Sequence, residues 1–235
     1  MKEEFEREAM LLGEEAIQRL NNSYVALFGL GGVGSYTAEA LARSGVGKIL
    51  LVDSDVVSRS NINRQLCALQ STVGRYKVDV VAERLLDINP DLIIEKSYDF
   101  VLPENISNFD FDKFDYVIDA IDTVSAKLAI IQASAENDVP IISCMGTGNK
   151  LDPTALTVTD ITKTSVCPLA RVMRRELKKR GISHLKVVFS TEEPKAQKYC
   201  IQAENKKIPP ASVAFVPSVA GLIAASEAIK ALIAK

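Results

Sequence analysis

The sequence predicts an α/β fold of the Rossmann type, in which a mostly parallel sheet carries helices on both faces. Three observations predict it: a glycine-rich turn after an apolar run, an alternation of strand-like and helix-like segments, and an acidic residue at the end of the second strand-like run. Alternating strands and helices specify parallel strands joined by crossover helices. We expect a few extra strands and a C-terminal helix to extend this sheet.

Each core strand is predicted from an apolar run bounded by polar residues or glycine, and each helix from apolar residues at helical spacing, as at Val78, Val81 and Leu85. In chain order we predict strand Tyr24–Phe28, helix Gly34–Arg43, strand Lys48–Val52, helix Tyr76–Ile88, strand Leu92–Ser97, strand Asp115–Asp119, helix Val124–Asn137 and strand Val139–Cys144.

The pattern changes from Thr154 onward. An alternating segment, a basic helix and a strand at Leu185–Ser190 are predicted, followed by a mobile polar loop over Glu192–Pro210. The apolar tail Ala211–Ala234 contains Pro217, Glu227 and Lys230, which leave no run long enough to span a membrane. We therefore predict a buried terminal helix and no integral membrane segment, with contact between this tail and a membrane as the alternative.

A glycine-rich turn is the first functional signal. Gly29, Gly31 and Gly34 have G-x-G-x-x-G spacing directly after a predicted strand. The first allows a tight turn, the second lets backbone approach a phosphate, and the third lets the next helix pack closely. The start of that helix favours an anion. Asp53 ends the second strand, where an acid can bind a ribose hydroxyl.

A dense polar block separates this chain from an ordinary dinucleotide-binding domain. Within a short stretch after Asp53 it places Asp55, Ser60, Asn61, Arg64 and Gln65, with Lys77 further on. An arginine can fork two donors onto phosphate oxygens, and a lysine supplies a point charge. Two cations suit a triphosphate better than a diphosphate, so we predict a nucleoside-triphosphate site, although the motif does not say which nucleotide it binds.

The blocks GLGGVG, DSD, SRSNINRQ and GRYK resemble the adenylating core of the ubiquitin-activating-enzyme superfamily. Bacterial members of that superfamily adenylate sulfur-carrier proteins. Within it the chain most resembles the family of dehydratases that act on threonylcarbamoyladenosine in tRNA, from Phe5 to about Lys235. The resemblance implies one adenylating domain over residues 1–235, with a helical arm (1–23), a nucleotide-binding core (24–150) and a substrate-side extension with a terminal helix (151–235).

The resemblance also implies residue roles. The nucleotide-binding set is Gly29, Gly31, Gly32, Gly34, Asp53, Asp55, Ser60, Asn61, Arg64 and Lys77, and the catalytic set is Arg7, Arg64, Lys77 and Asp122. Asp122 corresponds to an aspartate that positions Mg²⁺ at the triphosphate. Arg7 corresponds to an arginine that crosses a homodimer interface into the neighbour's site.

The implied reaction is adenylation of a carboxylate by ATP and Mg²⁺, followed by closure of the threonylcarbamoyl side chain with loss of AMP. The carboxylate is already ionised at neutral pH and needs no general base. Ring closure is intramolecular, so the protein needs no acyl-accepting thiol. The cyclic product, an oxazolone or a hydantoin, stays open. A cysteine-desulfurase or sulfur-acceptor system is a further partner that the resemblance suggests.

The cysteines favour a reduced, zinc-free protein. Cys67, Cys144, Cys167 and Cys200 form no C-x-x-C pair, so tetrahedral zinc is disfavoured. Without a secretion signal, scattered thiols fit the cytoplasm. Cys67 and Cys144 are predicted to be core residues. Cys167 precedes a helix start, which can lower a thiol pKa, but we do not expect it to be a required nucleophile. His184 is predicted to lie at the surface.

Charge is uneven along a chain whose formal net charge is −2, which argues against a wholly basic nucleic-acid binder. One segment concentrates cations, namely Arg171, Arg174, Arg175, Lys178, Lys179, Arg180 and Lys186, against the single acid Glu176. This basic helix is either a solvated face or a surface for the phosphodiester backbone of tRNA.

Three other functions remain open at this stage. A sulfur-carrier adenylyltransferase would bind a small protein ending in Gly-Gly, but the missing zinc cysteines and the basic helix count against it. An NAD-dependent oxidoreductase is disfavoured because Arg64 and Lys77 stand beside the glycine turn and no hydride-site acid or base is evident. A non-catalytic nucleotide-binding scaffold is the third.

Overall fold

A seven-stranded sheet organises the residues that the computed structural model describes, which are 2–199 and 209–234. Its strands are β1 (Tyr24–Phe28), β2 (Lys48–Val52), β3 (Ile93–Ser97), β4 (Tyr116–Asp119), β5 (Ile141–Cys144), β6 (Leu156–Asp160) and β7 (Lys186–Ser190). They lie in the order β3-β2-β1-β4-β5-β7-β6, and all neighbours are parallel except β6 and β7. The predicted fold class is confirmed, with the topological switch point between β1 and β4.

Helices cover both faces of the sheet. They are α1 (Glu6–Leu12), α2 (Glu14–Asn21), α3 (Gly34–Arg43), α4 (Lys77–Ile88), α5 (Val124–Glu136), α6 (Pro168–Lys179) and α7 (Phe215–Ile233). Most predicted bounds agree with these, and the others differ by one or two residues. The strand predicted from Val139 begins at Ile141, because Pro140 offers only its carbonyl, which accepts from the Val117 N–H at 2.9 Å.

Alternate residues of β1 serve two cores. Val25 and Leu27 face the cluster formed with α2, α3, α4 and α7, whereas Ala26 and Phe28 face the cluster formed with α5 and the 101–114 segment. Successive strand side chains point to opposite faces, so a strand buried on both sides must be apolar throughout. Both faces of β1 are therefore covered, which leaves the ends of the strands as the place where a ligand can bind.

Helix α7 crosses α3 at close range. A Cβ on Gly221 would lie 2.3 Å from the Val33 carbonyl oxygen, and the Thr37 hydroxyl lies 3.1 Å from the Gly221 carbonyl oxygen. Within the described residues, α7 is the one helix long and apolar enough to cross a bilayer by length and composition. Its inner face is packed into the core, in agreement with the predicted buried terminal helix.

The N-terminal arm packs against the end of α7. Leu20 is fully buried, and the Arg19 guanidinium donates to the Ile233 carbonyl at 2.6 Å. This bond satisfies one of the carbonyls left without a helical partner at a helix C-terminus. The arm is therefore part of the domain and not a loose extension.

The segment predicted as a mobile loop is held at its described ends. The Asn149 side-chain oxygen accepts from Gln197 Nε2 at 3.2 Å and from the Ala211 N–H at 2.8 Å. The Glu192 carboxylate accepts from the N–H groups of Leu151 and Asp152. The prediction for residues 200–208, including Cys200, lies outside the described residues.

Candidate nucleotide-binding site

A cavity of about 440 Å³ opens at the carboxyl ends of β1, β2, β4 and β5. This is the place where doubly wound sheets bind ligands. Among the predicted site residues, its lining contains Gly29, Gly31, Gly32, Asp53, Asp55, Asn61, Arg64, Lys77 and Asp122. Segments far apart in the sequence are thus brought to one edge of the sheet.

The glycine turn has distinct requirements at each position. Gly29 has φ +91°, and a Cβ there would lie 2.9 Å from the Ala120 carbonyl group. A Cβ on Gly34 would lie 1.8 Å from the Gly29 carbonyl oxygen, so the start of α3 can approach only without a side chain. Gly31 instead faces open space, with Gln65 Nε2 as the nearest atom at 3.8 Å. The first two glycines build the turn, and Gly31 leaves room for a phosphate.

Asp53 anchors this turn. One of its carboxylate oxygens accepts from the Leu30 N–H at 2.7 Å and the other from the Asp55 N–H at 2.8 Å. Burial raises the pKa of the carboxyl group, although the Lys77 ammonium opposes the rise. The side chain predicted to bind a ribose therefore also holds the glycine loop against the end of β2.

The two predicted phosphate ligands are held in place by local contacts. The Lys77 side chain is 5 % exposed, and its ammonium lies 2.6 Å from Asp55 Oδ2 and 3.8 Å from Asp53 Oδ1. Arg64 Nη1 donates to the Ser60 carbonyl and to Asn63 Oδ1, both at 2.9 Å. Each cation is thus oriented before any ligand arrives, which reduces the cost of ordering it.

The residues of the polar turn before Arg64 do not all reach the cavity. Asn61 lines the cavity while its side-chain oxygen accepts from the Ser58 N–H at 3.0 Å. Ser60 is exposed, and its hydroxyl contacts the Ser58 hydroxyl at 2.9 Å. Ser60 is not among the lining residues, so the structure does not bring this predicted ligand to the cavity. It contributes its carbonyl to Arg64.

Asp122 offers an exposed carboxylate at the cavity lining, three residues after the end of β4. No three His, Cys, Asp or Glu side chains of residues 2–199 and 209–234 are grouped to hold a metal by themselves. A single carboxylate fits Mg²⁺, which commonly binds one or two carboxylates together with substrate phosphates. Asp122 is the residue of the cavity predicted to hold such an ion.

Sequence reasoning missed the opposite wall. It consists of Met145, Gly146, Thr147 and Gly148 after β5, Leu169 at the start of α6, and Pro209, Pro210, Ser212 and Pro217 near α7. Two glycines directly after a predicted strand were the available signal. A Cβ on Gly148 would lie 2.6 Å from the Pro210 side chain, so these two parts of the wall pack closely.

Comparison with known proteins assigns the family. A sequence model described as the ThiF family matches residues 5–235. The chain belongs to the ThiF family. It is 46 % identical over 233 residues to a Bacillus subtilis protein named tRNA threonylcarbamoyladenosine dehydratase, covering 95 % of this chain and 92 % of that one. An Escherichia coli protein of the same name is 41 % identical over 199 residues, covering 81 % of this chain and 74 % of that one.

Solved structures agree with this assignment. The Escherichia coli dehydratase in complex with ATP superposes with a TM-score of 0.88 at 37 % identity, over 98 % of this chain and 94 % of that one. Escherichia coli MccB with ATP shares 18 % identity at a TM-score of 0.70, covering 100 % of this chain and 64 % of that one, which shows the fold alone. The resemblance read from the sequence motifs is confirmed at the level of the family.

In this ThiF-family chain, Arg7 lies apart from the cavity. It is exposed on α1 and is not among the lining residues. The expected action of Arg7 in a neighbouring subunit stays a prediction. Met10 and Leu11, on the same short helix, are 87 % and 84 % exposed.

Cys67, Cys144 and His184 lie where the sequence indicated. Burial raises the pKa of Cys67 to about 11 and that of Cys144 to about 12, so neither forms a thiolate near neutral pH. Cys167 is also buried, with its sulfur 3.8 Å from the position of a Cβ on Gly146. The His184 side chain is 81 % exposed and contacts Asp160 at 3.2 Å.

Most of the cationic side chains of helix α6 contact residues of the same helix or of the turn before it. Arg174 donates to the carbonyl of Thr164 at 2.9 Å, so it braces the preceding turn and differs from the expected free phosphate ligand. Glu176 pairs with Arg175, Lys179 and Arg180 at 3.0–3.4 Å. Arg171 and Lys178 are exposed and pair with no residue that the structure describes. A groove of about 640 Å³ between α5 and α6 therefore presents paired charges and lies outside the nucleotide site.

Proposed function

We propose that this protein is an ATP-dependent dehydratase that cyclises threonylcarbamoyladenosine in tRNA. One observation carries the proposal: Arg64, Lys77 and Asp122 converge on one cavity above the glycine turn. The chain-wide identity with proteins of that name supports it. The product would be the cyclic nucleoside, formed with release of pyrophosphate and AMP and the net loss of one water.

The cavity residues would divide the first step between them. Gly31 leaves space for the phosphates, and Arg64 and Lys77 supply positive charge where negative charge develops during displacement at the α-phosphate. A bound Mg²⁺ would supply further charge stabilisation at the phosphate oxygens. Asp122 would hold that ion, since it offers an exposed carboxylate at the cavity lining.

The second step, closure of the ring, requires fewer protein groups than adenylation does. Once the carboxylate is adenylated, the urea group of the same side chain can attack it and displace AMP, and oriented intramolecular reactions reach effective molarities of about 10⁵–10⁸ M. The raised pKa values of Cys67 and Cys144 leave those thiols unsuited to attack. Cys167 is proposed to be dispensable, and the protein is proposed to need no zinc.

The active species is proposed to be a homodimer. Arg7 does not line the cavity of its own chain, so it would act by entering the site of a second copy. The exposed Met10 and Leu11 on the same helix supply apolar surface for that contact. A twofold dimer would then hold two composite sites.

The tRNA is proposed to lie across α6. Arg171 and Lys178 are exposed there at helical spacing that places them on one face. The protein is also proposed to work in the cytoplasm. The cysteine-desulfurase or sulfur-acceptor partner that the resemblance suggested stays a prediction.

The decisive experiment combines the protein with Mg-ATP and tRNA that carries the threonylcarbamoyl group. We expect AMP to be released and the digested nucleoside to lose the mass of one water. NAD in place of ATP, and an Arg64→Ala variant, are the matched controls. An unchanged nucleoside mass with active, folded protein would refute the proposed function. AMP release driven instead by a small protein ending in Gly-Gly would indicate the sulfur-carrier class.

A further inference from the structure

A buried charged network lies directly beneath the cavity, between the ends of β4 and β5. Asp119 is the last residue of β4, and Lys127 lies in the first turn of α5. Both side chains are fully buried, with Lys127 Nζ 2.8 Å from Asp119 Oδ2. None of the predicted site residues belongs to this network, and the reaction steps derived above do not use it.

The Lys127 ammonium also donates to two backbone carbonyls at the cavity. The Ile121 oxygen lies 2.9 Å from Nζ and the Cys144 oxygen 2.8 Å from it. With Asp119 these contacts use all three protons of the ammonium. Ile121 and Cys144 both line the cavity, so one buried nitrogen joins the loops that leave two different strands.

These two carbonyls set the direction of the chain at the site. A peptide unit is planar, so fixing the Ile121 carbonyl also fixes the N–H of Asp122. Asp119 holds the other side of Ile121, because its Oδ1 lies 3.2 Å from the Ile121 N–H. Across the cavity, the peptide after Cys144 is held twice, since the Met145 N–H donates to the Val188 carbonyl at 2.8 Å.

We propose that Lys127 is a positioning residue, which orients the Asp122 loop and the Met145–Gly148 wall for Mg-ATP. This inference rests on the proposed function, in which Asp122 holds the metal. Stability alone does not account for the pair, because well-packed apolar residues of similar volume often replace a buried ion pair without loss. An apolar side chain would leave both carbonyls without the donor that joins them.

The test separates positioning from stability. Lys127→Met alone strands the buried Asp119 carboxylate and is expected to lower the melting temperature. Adding Asp119→Asn removes the stranded charge, so the double variant should regain most of that temperature. The Mg-ATP affinity of the double variant, or its turnover of modified tRNA, should nevertheless remain about 10–100-fold below that of the native protein. Losses of this size are typical when a residue that supports a metal ligand is removed. The KM for tRNA should not change.

Two further variants serve as references. Asp119→Asn alone leaves the buried Lys127 ammonium without its countercharge, so its melting temperature should also fall. Lys127 can still donate to both carbonyls, so turnover measured well below that temperature should stay closer to native than that of the double variant. Ser134→Ala alters a buried hydroxyl of α5 that has no hydrogen-bond partner among the described residues. All readouts should be unchanged in it.

Two results would overturn the inference. One is a double variant with native Mg-ATP affinity and turnover, which would leave Lys127 a purely structural role. The other is an Asp119→Asn variant as impaired as the double, which would assign the positioning to the carboxylate. Because Mg-ATP affinity is measured without tRNA, the inference stands or falls separately from the proposed substrate. Failure of the native protein to dehydrate tRNA would refute only that substrate.

Discussion

At the scale of single residues, the site is built from charges that already have partners. Lys77 is held by Asp55 and Asp53, while Arg64 is held by backbone and side-chain oxygens of its own turn. Such contacts keep a cation at a fixed position, so a ligand does not have to order it. Arg64 is the more accessible of the two cations, so replacing it disturbs the fold less than replacing the buried Lys77 would.

We expect Arg64→Ala to lower AMP formation at least about tenfold with an unchanged melting temperature, because it removes charge-assisted contacts to phosphate but no buried partner. Steady-state turnover and a thermal melt measure the two effects. Arg59→Ala is the matched control, since Arg59 is an exposed arginine of the same turn outside the cavity lining. Native turnover in the Arg64 variant would remove this residue from the phosphate site.

A second residue-scale prediction concerns Asp122. Replacing this carboxylate by an amide in Asp122→Asn should move the Mg²⁺ titration of turnover to higher concentrations by about tenfold or more, because a hard cation prefers a charged oxygen ligand. Turnover at saturating Mg²⁺ should partly recover. A superimposable titration curve would leave Asp122 without a metal-binding role.

At the scale of elements, a carboxylate ties α3 to α4. Glu39 accepts from Arg84 Nε at 2.6 Å and from Arg43 Nε at 2.8 Å. Burial raises the pKa of Glu39, but the hydrogen bonds from Arg84 and Arg43 outweigh it, so the pKa is lowered overall. A lowered carboxyl pKa means that the folded state gains stability above the unfolded pKa and loses it as the pH falls through the folded pKa.

Glu39→Gln should therefore lower the free energy of unfolding at neutral pH by roughly 1 kcal/mol, a modest value because both arginines are partly exposed. The difference from the native protein should shrink as the pH falls below about 4, the ordinary range of a glutamate. Urea unfolding at several pH values measures it. Glu83→Gln, which breaks an exposed pair with Arg75, is the control and should change little. A deficit that grows in acid would contradict this assignment.

Helix α6 carries its own prediction. Reversing Arg171 and Lys178 to glutamate should weaken tRNA binding and reduce the slope of log affinity against log salt by about 0.7–0.9 for each phosphate that the variant no longer neutralises. ATP affinity should not change, because neither residue lines the cavity. Lys113→Glu, at an exposed lysine that lies just before β4 and outside α6, is the control. Equal tRNA affinity at all salt concentrations would make α6 a solvated face.

The elements themselves were predictable because each carries a local signal. The β1 run, the glycine turn and Asp53 follow one another in the sequence, and periodicity identified the helices around them. Lys127 carried no such signal. The position of Lys127 in the helical pattern of α5 does not reveal that its side chain reaches the carbonyl of Cys144 in β5. The Pro209–Pro217 side of the cavity was missed for the same reason, since contacts over long sequence separation are set by the packing of the whole domain.

At the scale of the whole molecule, the proposed dimer can be tested by complementation. Inactive Arg7→Ala chains mixed with inactive Arg64→Ala chains should regain activity, because one of the two sites in each mixed dimer contains both native residues. Up to about a quarter of native activity is expected from random exchange of equal amounts between twofold dimers. Mass spectrometry of the intact dimer measures the extent of subunit exchange. Proven exchange without recovery would place Arg7 outside the neighbour's site.

The Asn149 clamp has a consequence for engineering the chain. The Asn149 side-chain oxygen accepts hydrogen bonds from both Gln197 and Ala211, so these two residues are held close to each other. Lengthening a loop whose ends are fixed costs little, since its closure entropy grows only with the logarithm of its length. A peptide tag or fluorescent label placed between those two residues should nevertheless leave Pro209 and Pro210 in place, because both line the cavity. The clamp would then hold such a probe near the cavity without any change to the glycine turn.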